Sequence, residues 1–220
     1  MTETKTERTL GAILYPNFEV LDLYGPLEMF GNIGAELTIA TVAEQTGPIR
    51  SAQGPQTLAE FSFGDCPELD LILLPGGVGT LEQLENAAML AFLRDRSRSA
   101  EVTMSVCSGS AILAKAGVLD GRRATSNKQF FALSTSQGEE VDWVAEARWV
   151  EDGPFATSSG VSAGTDMALA VIARLFGEAH AQRIADLAEY EWQRDPNRDP
   201  FHKFLNQGKI EELLESKGGP

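Results

Sequence analysis

Three short runs in the chain, TLGAILY at Thr9–Tyr15, LDLILLP at Leu69–Pro75 and VTMSV at Val102–Val106, are almost wholly apolar or small. A strand that faces water on one side alternates; an unbroken run closed by turn residues belongs to a strand covered on both faces. Glu36–Val42 (ELTIATV) alternates and is β-branched, a further strand. Apolar residues at helical spacing separate these runs, over Val20–Ile33, Leu81–Arg98, Gly109–Ala116 (ended by Gly117), Ala163–Phe176 and Glu178–Tyr190. Pro26 is expected in a first helical turn, where its missing N–H does no harm. Gly47–Phe63 reads as an extended hairpin, Phe130–Ser136 as a short helix, and Val141–Val150 and Phe155–Ser158 as two late strands. Strands alternating with helices predict an α/β fold, a mostly parallel sheet with helices on both faces. Residues 1–194 form one domain on this reading. Residues 195–220, rich in Pro, Asn and charge and then weakly helical towards the Gly-Gly-Pro end, form a C-terminal arm or tail.

In such a sheet the working crevice lies at the carboxyl ends of the strands. Phe18–Asp22, Gly76-Gly77 and Cys107-Ser108 each follow a predicted strand, so the fold brings them to one edge. Cys107 stands between a strand and a helix, with Ser105 and Gly109 as small neighbours two residues away on either side. That is the nucleophile-elbow pattern with cysteine as the nucleophile, small residues being needed because the turn is tight. The plainer reading is a buried core cysteine, since free cysteine is among the most buried residue types. If Cys107 is an elbow residue, the start of the next helix offers free N–H groups and should lower the thiol's pKa below its ordinary ~8.5. Cys66, in a loop-like stretch before Pro67, reads as structural or incidental.

The proton partner of such a thiol is not obvious. The chain has two histidines, His180 in a late helix and His202 in the tail, and neither obviously reaches the sheet edge. Asp22 interrupts the apolar stretch Val20-Leu21-Asp22-Leu23. A charge there is costly unless it is hydrogen-bonded or in use, and a carboxyl facing a thiol in a closed crevice should have a raised pKa and could carry a proton at neutral pH. The alternative is a helix cap or first-turn aspartate. Gly76-Gly77 could bring N–H donors close to a developing charge, or be a plain loop. Ser108 could donate its hydroxyl or N–H to the reacting group, or simply open the helix.

The net charge of −14 sets the protein against phosphate backbones and anionic lipid, so no nucleic-acid or membrane partner is expected. Arg94 to Arg98, the densest basic stretch, is interrupted by Asp95. Two cysteines make no disulfide framework, and no Cys/His cluster reads as zinc, so neither metal nor cofactor is expected. Without a signal peptide or an apolar run of spanning length, a cytoplasmic location is expected.

The segments LDLYGPLEMF, ILLPGG, SVCSGSAILAKAGVLDGRRAT and SGVSAGTDMALAVI together resemble the ThiJ/PfpI superfamily, in matching order from Leu10 to Tyr190. The resemblance implies a flavodoxin-like three-layer sandwich, Cys107 as the nucleophile at a strained strand-to-helix turn, and a homodimer. Within the superfamily the chain is most similar to the isocyanide hydratases. That implies a small-molecule substrate, water added to an isocyanide to give an N-substituted formamide, and Asp22 as general acid and base. Gly76, Gly77 and Ser108 would then orient water and stabilise transient charge. One departure stands out: where relatives carry Thr-His-Trp, this chain has Ser126-Asn127-Lys128. Losing that histidine weighs against a Cys-His mechanism on α-oxoaldehydes or amides. A redox-sensing or ligand-binding module is the non-enzymatic alternative, and the stretch after Tyr190 is too short for a fused DNA-binding region.

Overall fold

In the computed structural model, which describes residues 7–210, the chain begins with β1 (Arg8–Ile13), α1 (Val20–Gly31) and β2 (Leu37–Ala43). Next come the hairpin β3 (Gly47–Arg50) and β4 (Gln56–Ala59), then β5 (Phe61–Ser62) and β6 (Leu71–Leu74). The middle holds α2 (Thr80–Gln83), α3 (Ala87–Arg96), β7 (Val102–Ser105), α4 (Gly109–Lys115), β8 (Arg123–Ala124) and α5 (Phe131–Thr135). It is followed by β9 (Asp142–Trp143), β10 (Trp149–Asp152), β11 (Phe155–Ser158), α6 (Ala163–Phe176) and α7 (Glu178–Leu187).

The main sheet runs β10-β11-β7-β6-β1-β2-β5, parallel except for the β10–β11 pair. With flanking helices it is the flavodoxin-like α/β sandwich expected. The unbroken apolar runs are the central strands: every residue of β6 and β7 is buried. α1 packs on α6 and α6 on α7, while α4 packs on α2, α3 and α5. The α1–α6 approach is close because Gly25 lacks a side chain: a Cβ there would stand 2.6 Å from Thr165 Oγ1.

The structure differs from the sequence reading in several places. The hairpin expected over Gly47–Phe63 ends at Ala59, and Phe61–Ser62 leaves it to pair parallel with β2 as the edge strand β5. The helix expected over Leu81–Arg98 is two, α2 and α3, divided before Asn86. The Asn86 side chain accepts the N–H groups of Ala88 (3.0 Å) and Met89 (3.1 Å) and so starts a new helix. The strand expected over Val141–Val150 is split into β9 and β10. Carbonyls in between go to side chains, Val144 O to Thr125 Oγ1 and Ala147 O to Lys128 Nζ, and not to a sheet ladder. Pro26 lies inside α1 and not in its first turn. Lacking an N–H, it leaves the Asp22 carbonyl without its helical partner.

Residues 195–210 lie along the domain: Pro196 O accepts the Arg148 N–H, and Lys128 Nζ is 3.6 Å from Asp199 Oδ2. They include a short 3₁₀ turn at His202–Phe204. The weakly helical reading of the last ten residues, like the polar reading of the first six, lies outside the described residues. No helix among the described residues is long and apolar enough to cross a membrane.

Candidate active site

The carboxyl ends of β1, β6 and β7 deliver three segments to one place. Cys107 follows β7 with φ at +58°, a left-handed conformation that a residue with a side chain adopts at a cost. The turn is held on all sides. Cys107 N donates to Ser159 O (3.1 Å), and its carbonyl accepts from Ser126 Oγ (3.0 Å) and Ser110 Oγ (3.2 Å). Position 109 must be glycine, because a Cβ there would stand 2.6 Å from Leu74 O.

The Cys107 sulfur faces donors. The side-chain amide of Asn127 donates to Sγ at 3.1 Å, and the backbone N–H groups of Ser108 and Val161 favour a charge on it. Val161 has φ at +41°, a second strained residue beside the thiol. Asn127 is itself fixed, its Oδ1 accepting the Phe130 N–H at 3.1 Å. These donors lower the thiol's pKa, as the helix start was expected to do. Burial outweighs them: Cys107 is only 8% exposed, and dehydration, reinforced by Asp22, holds the thiol above its ordinary range. The resting group is the thiol, contrary to the acidic cysteine expected from sequence.

Asp22 does not cap its helix; Glu19 occupies the cap position. The Asp22 side chain is fully buried and turns to the end of β6, where Oδ2 accepts the Gly76 N–H at 2.9 Å. Oδ1 has no hydrogen-bond partner among the described residues. Burial, with a further push from the Glu19 carboxylate, raises the Asp22 pKa to about 8, against the pull of Gly76 N–H and Cys107. The carboxyl therefore carries a proton at neutral pH. It lies close enough to Cys107 that each shifts the other.

Gly76 and Gly77 serve the site indirectly. Their N–H groups, expected at a developing charge, are both engaged, Gly76 by Asp22 and Gly77 by Ser108 Oγ (3.1 Å). Space demands glycine at 76: a Cβ would stand 2.6 Å from Ser108 N and 3.0 Å from Asp22 Oδ2. Ser108 Oγ joins a buried hydroxyl chain, 2.9 Å from Thr80 Oγ1, which is 3.3 Å from Tyr15 OH. Its backbone N–H, and not the hydroxyl, is the group that lowers the thiol's pKa.

A cavity of about 230 Å³ opens over Cys107, with Leu81, Phe130, Leu133, Val161 and Ile210 as apolar wall and Glu19 as its carboxylate. Neither histidine lines it: His180 stacks edge-on with Phe176, and His202 Nδ1 lies 3.3 Å from Ala145 O. Cys66 lies away from it and is buried. No group of His, Cys, Asp and Glu among the described residues has metal-binding geometry. In the sequence, Ser126-Asn127-Lys128 stands out only as a lost histidine; Asn127 touches the sulfur from that position. Val161, Thr80 and Tyr15 carry no local signal.

Comparison with known proteins places the fold in a family. The model of the DJ-1/PfpI family matches residues 11–174. The chain is 34% identical to the isonitrile hydratase of Pseudomonas putida over 82% of its own length and 78% of the relative's. It is 27% identical to the HTH-type transcriptional regulator GbdR of Pseudomonas aeruginosa over 96% of its length, spanning 60% of that regulator. Its fold matches the crystal structure of a ThiJ/PfpI family protein from Pseudomonas syringae with a TM-score of 0.79 and 32% identity, covering 99% of this chain and 91% of the other.

Proposed function

The chain belongs to the DJ-1/PfpI family, and from that membership we propose that it is a cofactor-independent isocyanide hydratase, with Cys107 as nucleophile and Asp22 as general acid and base. One observation carries the reading. The side chain bonded to the thiol at the lost histidine's position is an amide, Asn127, which cannot carry a proton. Asp22 is the proton-bearing carboxyl that remains beside the sulfur.

The terminal carbon of an isocyanide accepts both a nucleophile and a proton. As the sulfur–carbon bond forms, Asp22 delivers its proton to that carbon and takes up the thiol's proton, leaving a thioimidate on Cys107. Water adds to the same carbon as hydroxyl, the C=N electron pair moves to nitrogen, and the proton that water gives up passes through Asp22 to that nitrogen. Collapse breaks the carbon–sulfur bond, returns the hydroxyl proton through Asp22 to sulfur, and releases the N-substituted formamide. Negative charge passes through sulfur, where the Ser108 and Val161 N–H groups and the Asn127 amide receive it. Neutral Asp22 adds no opposing charge at that moment. The apolar wall suits a neutral, apolar N-substituent.

Incubation with p-nitrophenyl isocyanide tests the reading: formamide should form with the wild type and not with Cys107→Ala. Turnover of methylglyoxal in its place would point to an α-oxoaldehyde enzyme. The GbdR similarity favours a second reading, a ligand-sensing module; isocyanide binding without turnover would support it.

Homodimer formation is part of the proposal. Leu21 (46% exposed) and Tyr24 (45%) on α1 and Leu58 (62%) on β4 leave an apolar face, tied together by the 2.8 Å contact of Tyr24 OH with Thr57 Oγ1. Light scattering should give a dimer mass, and Leu21→Asp should reduce it to the monomer's.

A further inference from the structure

Ile210 belongs to none of the elements that build the elbow, yet it lines the cavity over Cys107. It reaches that place because residues 199–208 are fastened to the segment that carries Asn127. Asn206 N donates to Lys128 O (2.8 Å) and Gly208 N to Gln129 O (3.0 Å). The Asn206 side chain accepts the Ala132 N–H at 2.7 Å. Gly208 sits against the Phe130 ring so closely that a Cβ would stand 2.5 Å from Cε1. Below these bonds lies a buried ion pair: Lys128 (2% exposed) and Asp199 (8%), with Nζ 3.6 Å from Oδ2.

Lys128 Nζ also donates to Thr125 Oγ1 (2.8 Å) and Ala147 O (2.6 Å), so the cation is anchored in the domain before the arm reaches it. Asp199 Oδ1 accepts the Phe201 N–H (2.9 Å) and sets the turn that follows. A buried pair adds little net stability, but it penalises every arrangement that leaves either charge alone. It therefore selects one register of the arm. That register carries residues 206–208 onto 128–132 and Ile210 over the thiol. The arm's own share of these contacts, from Asp199 to Ile210, lies beyond residues 11–174, the part that the family model matches.

We propose that Ile210 is a specificity-determining residue of the substrate cavity, supplied by the C-terminal arm and held in register by the buried Lys128–Asp199 pair. The arm wall limits the bulk of the group attached to the reacting carbon. The proposal builds on the substrate site assigned above, but access to the thiol can be read without turnover.

The experiment alkylates the full-length protein with iodoacetamide and with a bulky N-aryl maleimide, following the Cys107 peptide by mass spectrometry and Cys66 as internal reference. Ile210→Ala should raise the maleimide-to-iodoacetamide rate ratio at Cys107 about fivefold or more. Ile210→Trp should lower it by a similar factor. Both lie within what one or two methylenes decide in a pocket. Asp199→Asn keeps the Oδ1 acceptor but removes the charge, and should shift the ratio in the direction of Ile210→Ala. Adding Ile210→Ala to it should change little. A ratio within about twofold of wild type in both Ile210 variants overturns the proposal; an unchanged ratio in a folded Asp199→Asn protein overturns the role of the pair. If no isocyanide is hydrated yet the ratios shift as expected, the hydratase assignment fails and the arm wall stands. Hydration with unshifted ratios keeps the hydratase and removes the arm wall.

Discussion

The side-chain amide of Asn127 donates to Cys107 Sγ at 3.1 Å, and its oxygen is held by the Phe130 N–H. The amide is thus an oriented donor with no proton to give away. It can stabilise a sulfur anion but cannot make one. Asn127→Ala should slow alkylation of Cys107 by about tenfold, the worth of one hydrogen bond to a charged group. Rates for Cys66 should not change. Equal rates at Cys107 in variant and wild type would mean that the contact does nothing for the thiolate.

Asp22→Asn should lower kcat for isocyanide hydration by about a hundredfold or more, the usual worth of a general acid or base. The amide keeps an oxygen for the Gly76 N–H, so the fold should survive. In the wild type, Asp22 must hold its proton to begin the reaction, and its pKa is raised to about 8. The kcat/KM profile should therefore fall as pH rises through that value. A profile flat to pH 10 would remove Asp22 as the acid.

The same proton leaves a mark on stability. Asp22 is raised from its ordinary 3.8 to about 8 on burial, so between those values the folded protein binds a proton that the unfolded chain releases. The stabilisation from this group is complete below the lower value and is lost as pH rises through the upper one. Denaturant titrations of wild type and Asp22→Asn should show their stability difference shrinking with pH across this window, by at most about 1.4 kcal/mol per unit. A difference independent of pH would show an ionised, solvated carboxylate.

Gly76→Ala places a Cβ 2.6 Å from Ser108 N and Oγ and 3.0 Å from Asp22 Oδ2. Overpacking of this kind costs about 1–3 kcal/mol, and here it also displaces the proton carrier. Melting temperature should fall and hydration should be lost. Activity within a few-fold of wild type would mean that the loop moves freely away from Asp22.

Cys107→Ala should abolish turnover with the fold kept, whereas Cys66→Ala should leave kcat near wild type, because Cys66 lies outside the cavity. Circular dichroism beside the formamide assay checks both. Equal losses in the two variants would place the nucleophile elsewhere.

Local patterns made much of this molecule legible. Unbroken apolar runs marked the strands buried on both faces, and their ends fixed which segments share an edge. Small residues around Cys107 marked a tight turn, and Cys107 stands in it with φ at +58°. Asp22 was visible as a charge that an apolar stretch would not otherwise hold. Each of these signals is written within a few residues of the group concerned.

Tertiary structure alone decided the rest. Asn127 is 20 residues from Cys107, and Gly76 is 54 from Asp22, so neither contact has a local pattern to announce it. The helix start beside Cys107 could be read from sequence, and it argued for an acidic thiol. Dehydration depends on every atom packed around the sulfur, and it reversed the sign. Ile210 follows the same rule: it joins the cavity because Lys128 and Asp199, 71 positions apart by their numbers, are buried as one ion pair. Charge, size and backbone preference belong to single residues and their neighbours, whereas solvation and contact belong to the whole packed chain.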